Sequence, residues 1–373
     1  MKKLFIMTGE ASADIHAAKV VEYLKSFSSD IQIEAIGGDN LKKLGVKLFS
    51  DHSKMSAAGL NLKILIDHIN LGKNLLNYLK NEYKPDLILM VDYGGFNLNM
   101  SKLLKKNGFK NFYFIPPQIW ASRPWRINTV KKNIDKVFYI FPFEQKLYEK
   151  NNINCEFVGH PLTTELPQKA NREEFFKKYD LDLSKKLISI FPGSRIFELK
   201  HLVNTFLKSK ELIEKELSDV QFVISEAPNF KEGTLKKYLK NSDIKIIRAD
   251  NRALLSVSDS LILSSGTVAL EAGLYQTPMV ISYKAPWLFY FIYLLVRAIK
   301  RVCLPNIILD EDIIQELIQH KSTPKLISQE IIKLHKNEEY RNFMINKLKT
   351  MTNNFSNKNA PMIVAQKIIE ELS

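Results

Sequence analysis

Cysteine is nearly absent from this 373-residue chain, with only Cys155 and Cys303 present. They form no Cys-x-x-Cys pair, so a zinc knuckle or disulfide framework is excluded and a reducing cytoplasm fits. The 7 histidines show no His-Glu-x-x-His spacing, and no metal site is expected. Long apolar runs are missing as well. The longest, Trp287 to Val296, falls well short of the roughly 20 residues that span a bilayer. The run after Met1-Lys2-Lys3 ends after Leu4-Phe5-Ile6-Met7, against about 7–15 apolar residues in an export signal, and reads as a buried first strand. Neither Gly-x-Gly-x-x-Gly nor Gly-Lys-Ser/Thr occurs, which argues against dinucleotide and P-loop binding. Acidic residues are in deficit: 54 Lys and Arg against 40 Asp and Glu leave +14. An anionic partner is expected, and net charge alone leaves nucleic acid, an acidic membrane face and phosphorylated small molecules all open.

The remaining composition is ordinary. Hydrophobic residues at 45% and charged residues at 25% are close to the globular average, so each domain can bury a core. At roughly 100–200 residues per domain the length allows two or three. In the first half, short apolar runs at Lys3–Met7, Ile31–Ile36, Leu87–Val91, Phe112–Ile115 and Val137–Phe141 alternate with amphipathic stretches such as Asp14–Ser26. The pattern breaks at Pro161–Ala170 and resumes with runs at Leu187–Phe191, Val220–Ser225, Ile244–Ile247, Ser260–Leu263 and Met279–Ser282. Such alternation predicts two doubly wound parallel-sheet α/β domains of Rossmann type. We place them at residues 1–165 and 166–345, with a helical C-terminal tail, residues 346–373, packed back on a domain. From about Asp310 onward the chain reads as almost entirely helical.

Ligands of open α/β sheets bind beyond the carboxyl ends of the strands. Five segments there merit attention. In Gly9-Glu10-Ala11-Ser12-Ala13-Asp14 a tight turn precedes a helix that Ser12 or Asp14 would cap; the amides offer an anion site, or the turn is purely structural. Asp92 closes a strongly apolar strand ahead of Gly94-Gly95-Phe96-Asn97, where a carboxylate is costly unless capped, paired or used as a base. Pro192-Gly193-Ser194-Arg195 sets a guanidinium fork at a strand end, suited to a diphosphate unless Glu198 pairs it. In Ser264-Ser265-Gly266-Thr267-Val268-Ala269-Leu270-Glu271 a strand gives way to a small-residue turn and a helix, so amides near Gly266 and Thr267 would cradle phosphate and Glu271 would accept a ribose diol. Trp287, Phe289, Tyr290 and Phe291, edged by Arg297, Lys300 and Arg301, have the make-up of an element dipping into anionic lipid, with a buried core helix as the alternative. The acidic clusters Asp180-Leu181-Asp182 and Asp310-Glu311-Asp312 are read as a polar approach and a helix cap rather than metal sites.

In order, these segments together with Gly37-Gly38, Pro85-Asp86, Pro117-Gln118-Ile119-Trp120-Ala121, Gly159-His160-Pro161, Pro278-Met279-Val280 and Leu304-Pro305-Asn306 resemble the lipid-A-disaccharide synthase family along nearly the whole chain. The resemblance implies a glycosyltransferase of the GT-B type, two Rossmann-like domains facing each other across a cleft. It implies inverting transfer from UDP-2,3-diacylglucosamine to 2,3-diacylglucosamine 1-phosphate without cofactor or required metal. It makes Asp92 the base, gives Arg195 the diphosphate, and assigns Ser194, Ser265, Gly266, Thr267 and Glu271 to UDP. Gly9, Glu10, Ser12, Asp14, Asn97 and Asn306 become substrate or turn residues, and the aromatic segment becomes the contact with the anionic inner face of the inner membrane. A homodimer is left open; nucleic acid is not implied. Three positions depart from the family pattern: Ala13 for a glycine, Gly95 for a second Asp, and Ser122 for the last Trp of Trp-Ala-Trp. Rival readings are another GT-B UDP-sugar enzyme, such as a peptidoglycan glucosaminyltransferase or a UDP-sugar 2-epimerase, and a basic nucleic-acid-binding protein.

Overall fold

The computed structural model describes residues 1–51, 62–239, 242–286, 300–355 and 358–373. The chain divides into two units, Met1–Pro161 with Asn357–Ser373, and Leu162–Ser356.

The first unit holds seven parallel strands: β1 (Lys2–Met7), β2 (Ile31–Gly37), β3 (Lys47–Asp51), β4 (Leu87–Val91), β5 (Asn111–Phe114), β6 (Lys136–Tyr139) and β7 (Cys155–Phe157), in the order β3-β2-β1-β4-β5-β6-β7. Leu87 to Val91 are all fully buried, as expected of a parallel strand covered by helices on both faces. Register pairs Met7 with Met90, so β1 and β4 end level with each other. Strand order reverses between these two, which opens the crevice where such sheets bind ligands.

The second unit repeats the plan with six parallel strands: β8 (Lys186–Phe191), β9 (Val220–Ser225), β10 (Lys245–Ile247), β11 (Ser260–Leu263), β12 (Met279–Tyr283) and β13 (Glu316–Ile318), ordered β10-β9-β8-β11-β12-β13. The reversal falls between β8 and β11, whose last residues Phe191 and Leu263 are paired in register.

Three strands escaped the sequence reading. β3 and β7 are edge strands with no fully buried residue, so they lack the apolar signature. β13 corrects the almost entirely helical reading after Asp310: its three residues are too short for period-2 patterning. Asp310 and Asp312 do not cap a helix start. Asp310 follows helix Leu304–Leu309 in left-handed conformation, and both carboxylates pair with Arg301.

The helical tail is present, but the chain divides at other points than expected. Helix Glu338–Asn353 straddles position 346 and buries Met344, Leu348 and Met351 in the second unit. Helix Ala360–Leu372 belongs to the first unit, where it packs on helix Ala11–Phe27. Its buried face is Ala360, Pro361, Val364, Ala365, Ile368 and Leu372. Asn359 caps it by accepting from the Met362 amide and donates to the Tyr23 hydroxyl at 2.7 Å.

Candidate active site

In the first unit the switch point is formed by the loops after β1 and β4. Asp92 and Tyr93 both adopt left-handed backbone, with φ of 50° each, a conformation that costs energy for non-glycine residues unless the surroundings enforce it. Three hydrogen bonds do so. The Asp92 amide donates to the Phe114 carbonyl at 3.0 Å, and the Asp92 carbonyl accepts from Tyr113 Oη and Asn97 Nδ2, each at 2.8 Å. Burial raises the pKa of the Asp92 carboxylate above the usual value, opposed by the Tyr93 amide and the nearby His16 charge. A partly desolvated carboxylate held in this way is a stronger base than one in water.

Gly9 is dictated by the same bend. A Cβ there would lie 2.1 Å from the Tyr93 ring, so only glycine lets β1 and β4 end side by side. Glu10 and Ser12 are exposed at the start of helix Ala11–Phe27. The expected capping by Ser12 or Asp14 does not occur: the helix begins at Ala11 with Glu10 as its N-cap and no side-chain cap bond. That start places both residues inside the first turn. Asp14 points inward, accepting from the Gly38 and Asn40 amides at 2.7 and 2.9 Å and from Asn40 Nδ2 at 2.9 Å, and thereby fastens the β2 loop. Ala13, where the family pattern has glycine, is a fully buried helical residue. Gly95 is open: a Cβ there meets nothing within 4 Å.

In the second unit a cavity of about 310 Å³ lies at the ends of β8 and β11. Ser194, Arg195, Ser265, Gly266, Thr267 and Glu271 all line it, so the two segments singled out from sequence meet at one place. The Ser264 amide donates to the Phe191 carbonyl at 2.9 Å. Gly266 has φ of 146°, open to glycine, and serves as N-cap of helix Thr267–Leu274 without a side-chain cap. The helix's first amides thus have no side-chain cap, the arrangement that suits an anion.

Glu198 does meet Arg195, the alternative that the sequence offered for this turn. The buried Glu198 carboxylate accepts from the Ser194 and Arg195 amides at 2.8 and 3.0 Å, shaping the turn. It stands 3.7 Å from Arg195 Nη1, whose side chain remains 68% exposed. The guanidinium therefore stays available to an anion. Glu271 is raised in pKa by burial and held down by Arg252, 3.4 Å away.

Ser225, Asn251 and Arg252 were not anticipated. Ser225 Oγ donates to Asn251 Oδ1 at 2.8 Å, and both line the cavity. Ser225 ends β9 and Asn251 and Arg252 follow β10, and the strand-end rule applied to every strand would have found them. Asn306, expected near substrate, is fully buried. Its amide donates to Ile314 O and Glu316 Oε1 and accepts from the Ile313 and Ile314 amides, so every valence is spent fixing the turn before β13. Trp287, Phe289, Tyr290, Phe291 and Arg297 lie outside the described residues; Lys300 is exposed, and Arg301 is held by Asp310 and Asp312.

Two Rossmann-like units, each with polar side chains gathered at the switch point of a parallel sheet, have the architecture of GT-B enzymes. Solved structures agree on the fold. UDP-GlcNAc 2-epimerase from Neisseria meningitidis bound to UDP-GlcNAc is similar at TM-score 0.67 and 15% identity, covering 99% of this chain and 100% of that one. MurG from Acinetobacter baumannii is similar at TM-score 0.59 and 13% identity, covering 99% and 100%. The family model described as lipid-A-disaccharide synthetase matches residues 4–368. Lipid-A-disaccharide synthase from Coxiella burnetii is 35% identical over 100% of this chain and 98% of its own length. Lipid-A-disaccharide synthase 1 from Legionella pneumophila is 31% identical over 99% and 97%. The chain belongs to the lipid-A-disaccharide synthase family and is a glycosyltransferase.

Proposed function

We propose that the chain transfers 2,3-diacylglucosamine from UDP-2,3-diacylglucosamine to 2,3-diacylglucosamine 1-phosphate, with Asp92 as general base. The observation that carries the assignment is the Asp92 bend, a raised-pKa carboxylate on a backbone held by three hydrogen bonds at the switch point. As the acceptor 6-oxygen attacks the anomeric carbon, its proton passes to the Asp92 carboxylate. The bond from that carbon to the diphosphate breaks on the opposite face, and UDP leaves with inversion. Arg195 and the amides at Gly266 and Thr267 meet the charge growing on the diphosphate, fixed donors being worth most where charge develops. Glu271, set by Arg252, accepts the ribose hydroxyls.

The substrates are lipids, and we place the enzyme peripherally on the anionic inner face of the inner membrane. The +14 charge supports that placement, and no described helix is long and apolar enough to cross a membrane. The test is an acceptor panel with labelled donor. Disaccharide formation with the acylated sugar phosphate and none with a peptidoglycan lipid acceptor is the expected result; the reverse, or 2-epimerisation of the donor, overturns the reading.

A further inference from the structure

The loop that follows β5 leaves the sheet beside Asp92. Phe114, the last residue of β5, accepts from the Asp92 amide, and Pro117 lies so close to Gly94 that a Cβ on the glycine would fall 2.5 Å from it. This loop carries Arg123 and Arg126. Arg123 is left-handed, with φ of 56°, and its carbonyl accepts from the Arg126 amide at 3.0 Å, a tight turn that keeps the two residues together. Trp125 between them is 62% exposed, so the turn opens to solvent. Arg123 is exposed and Arg126 half-buried.

Several cations of the chain find carboxylates: Lys105 pairs with Asp135, Arg172 with Asp259, and Arg301 with two aspartates. Among the described residues Arg123 and Arg126 have no such partner. Arg126's pKa is lowered by burial and by the Arg123 charge, against an opposing effect of Tyr113. Tyr113 is the residue whose hydroxyl binds the Asp92 carbonyl. Two like charges gathered in a partly desolvated turn are unfavourable until an anion arrives. A phosphomonoester, with about −1.5 to −2 charge and three acceptor oxygens, matches two guanidinium forks.

We propose that Arg123 and Arg126 form the seat for the 1-phosphate of the acceptor sugar, next to the base that deprotonates it. In a hexose 1-phosphate the 6-hydroxyl lies across the ring from the phosphate, so one sugar ring joins the seat on the β5 loop to the base after β4. The inference rests on the function proposed above, because it takes the acceptor to be a phosphorylated sugar.

The test uses the full chain and the double variant R123Q/R126Q. Binding of 2,3-diacylglucosamine 1-phosphate and of unphosphorylated 2,3-diacylglucosamine is measured in detergent with UDP saturating, and turnover is measured with each. The wild type is expected to prefer the phosphorylated acceptor. In the variant, its KM and Kd for that acceptor rise about 10–100-fold, the preference collapses towards unity, and kcat, donor KM and UDP affinity hold. Unchanged kcat, which needs Asp92 of the same unit, also shows that the variant is folded. An unchanged acceptor KM, or an equal loss on both acceptors, overturns the seat. Arginine-dependent binding of the phosphorylated sugar without any disaccharide formation would leave the seat standing and refute the assigned reaction.

Discussion

Replacing Asp92 by Asn separates chemistry from architecture cleanly. The three hydrogen bonds that hold the bend use only the Asp92 amide and carbonyl, so asparagine, which tolerates left-handed backbone, keeps all of them. What is lost is the proton acceptor. General-base assistance is worth about 10²–10⁴ in rate, or roughly 2.7–5.5 kcal/mol of barrier. Turnover should fall by that factor, with UDP binding unchanged.

The stability change has the opposite sign to most active-site losses. Burial raises the folded-state pKa of Asp92, so the folded protein holds this proton more tightly than the unfolded chain does. The ionised carboxylate therefore destabilises the fold once pH rises above the usual carboxylate value, and the full penalty is present above the raised one. Asp92→Asn removes it. The variant should be at least as stable as the wild type at neutral pH, the difference vanishing in acid. Denaturant titration at both pH values together with initial rates of UDP release forms the assay. A variant that retains near-normal turnover, or one that loses activity and stability together at pH 7, refutes the reasoning.

Gly9→Ala should destabilise the first unit by about 1–3 kcal/mol, since the new methyl must displace Tyr93; a fall in thermal midpoint with reduced turnover is expected. Arg195→Ala should weaken UDP binding roughly 10–100-fold, the value of a charge-assisted hydrogen bond, measured by calorimetry, while stability holds because Glu198 keeps its two amide contacts. Glu198→Ala should instead cost stability, about 1–3 kcal/mol for each donor left unsatisfied, read by chemical denaturation. Deleting residues 358–373 should bare the apolar face of helix Ala11–Phe27 that helix Ala360–Leu372 covers and leave an aggregating protein by light scattering.

The sheets were legible where strands are buried on both faces. Leu87–Val91 and Leu261–Leu263 are unbroken apolar runs followed by a polar residue, and beyond their ends stand Asp92 and the Ser265–Thr267 turn. Edge strands such as Cys155–Phe157 escaped because partial burial imposes no pattern. Side-chain direction was also out of reach. Asp14 and Asn306 are as polar as Asp92, yet both turn inward to satisfy backbone groups, and nothing in their spacing distinguishes the two uses. The pairing of Arg252 with Glu271 joins two helices separated along the chain by β11, a contact that only the fold creates.

The most direct measurement is the structure of the product formed by the purified chain from UDP-2,3-diacylglucosamine and 2,3-diacylglucosamine 1-phosphate. Inverting displacement by a base at Asp92 predicts one disaccharide 1-phosphate, joined through the acceptor 6-oxygen with the donor's anomeric centre inverted, and one UDP per disaccharide. A retained anomeric configuration, or UDP released with free diacylglucosamine and no disaccharide, would contradict it.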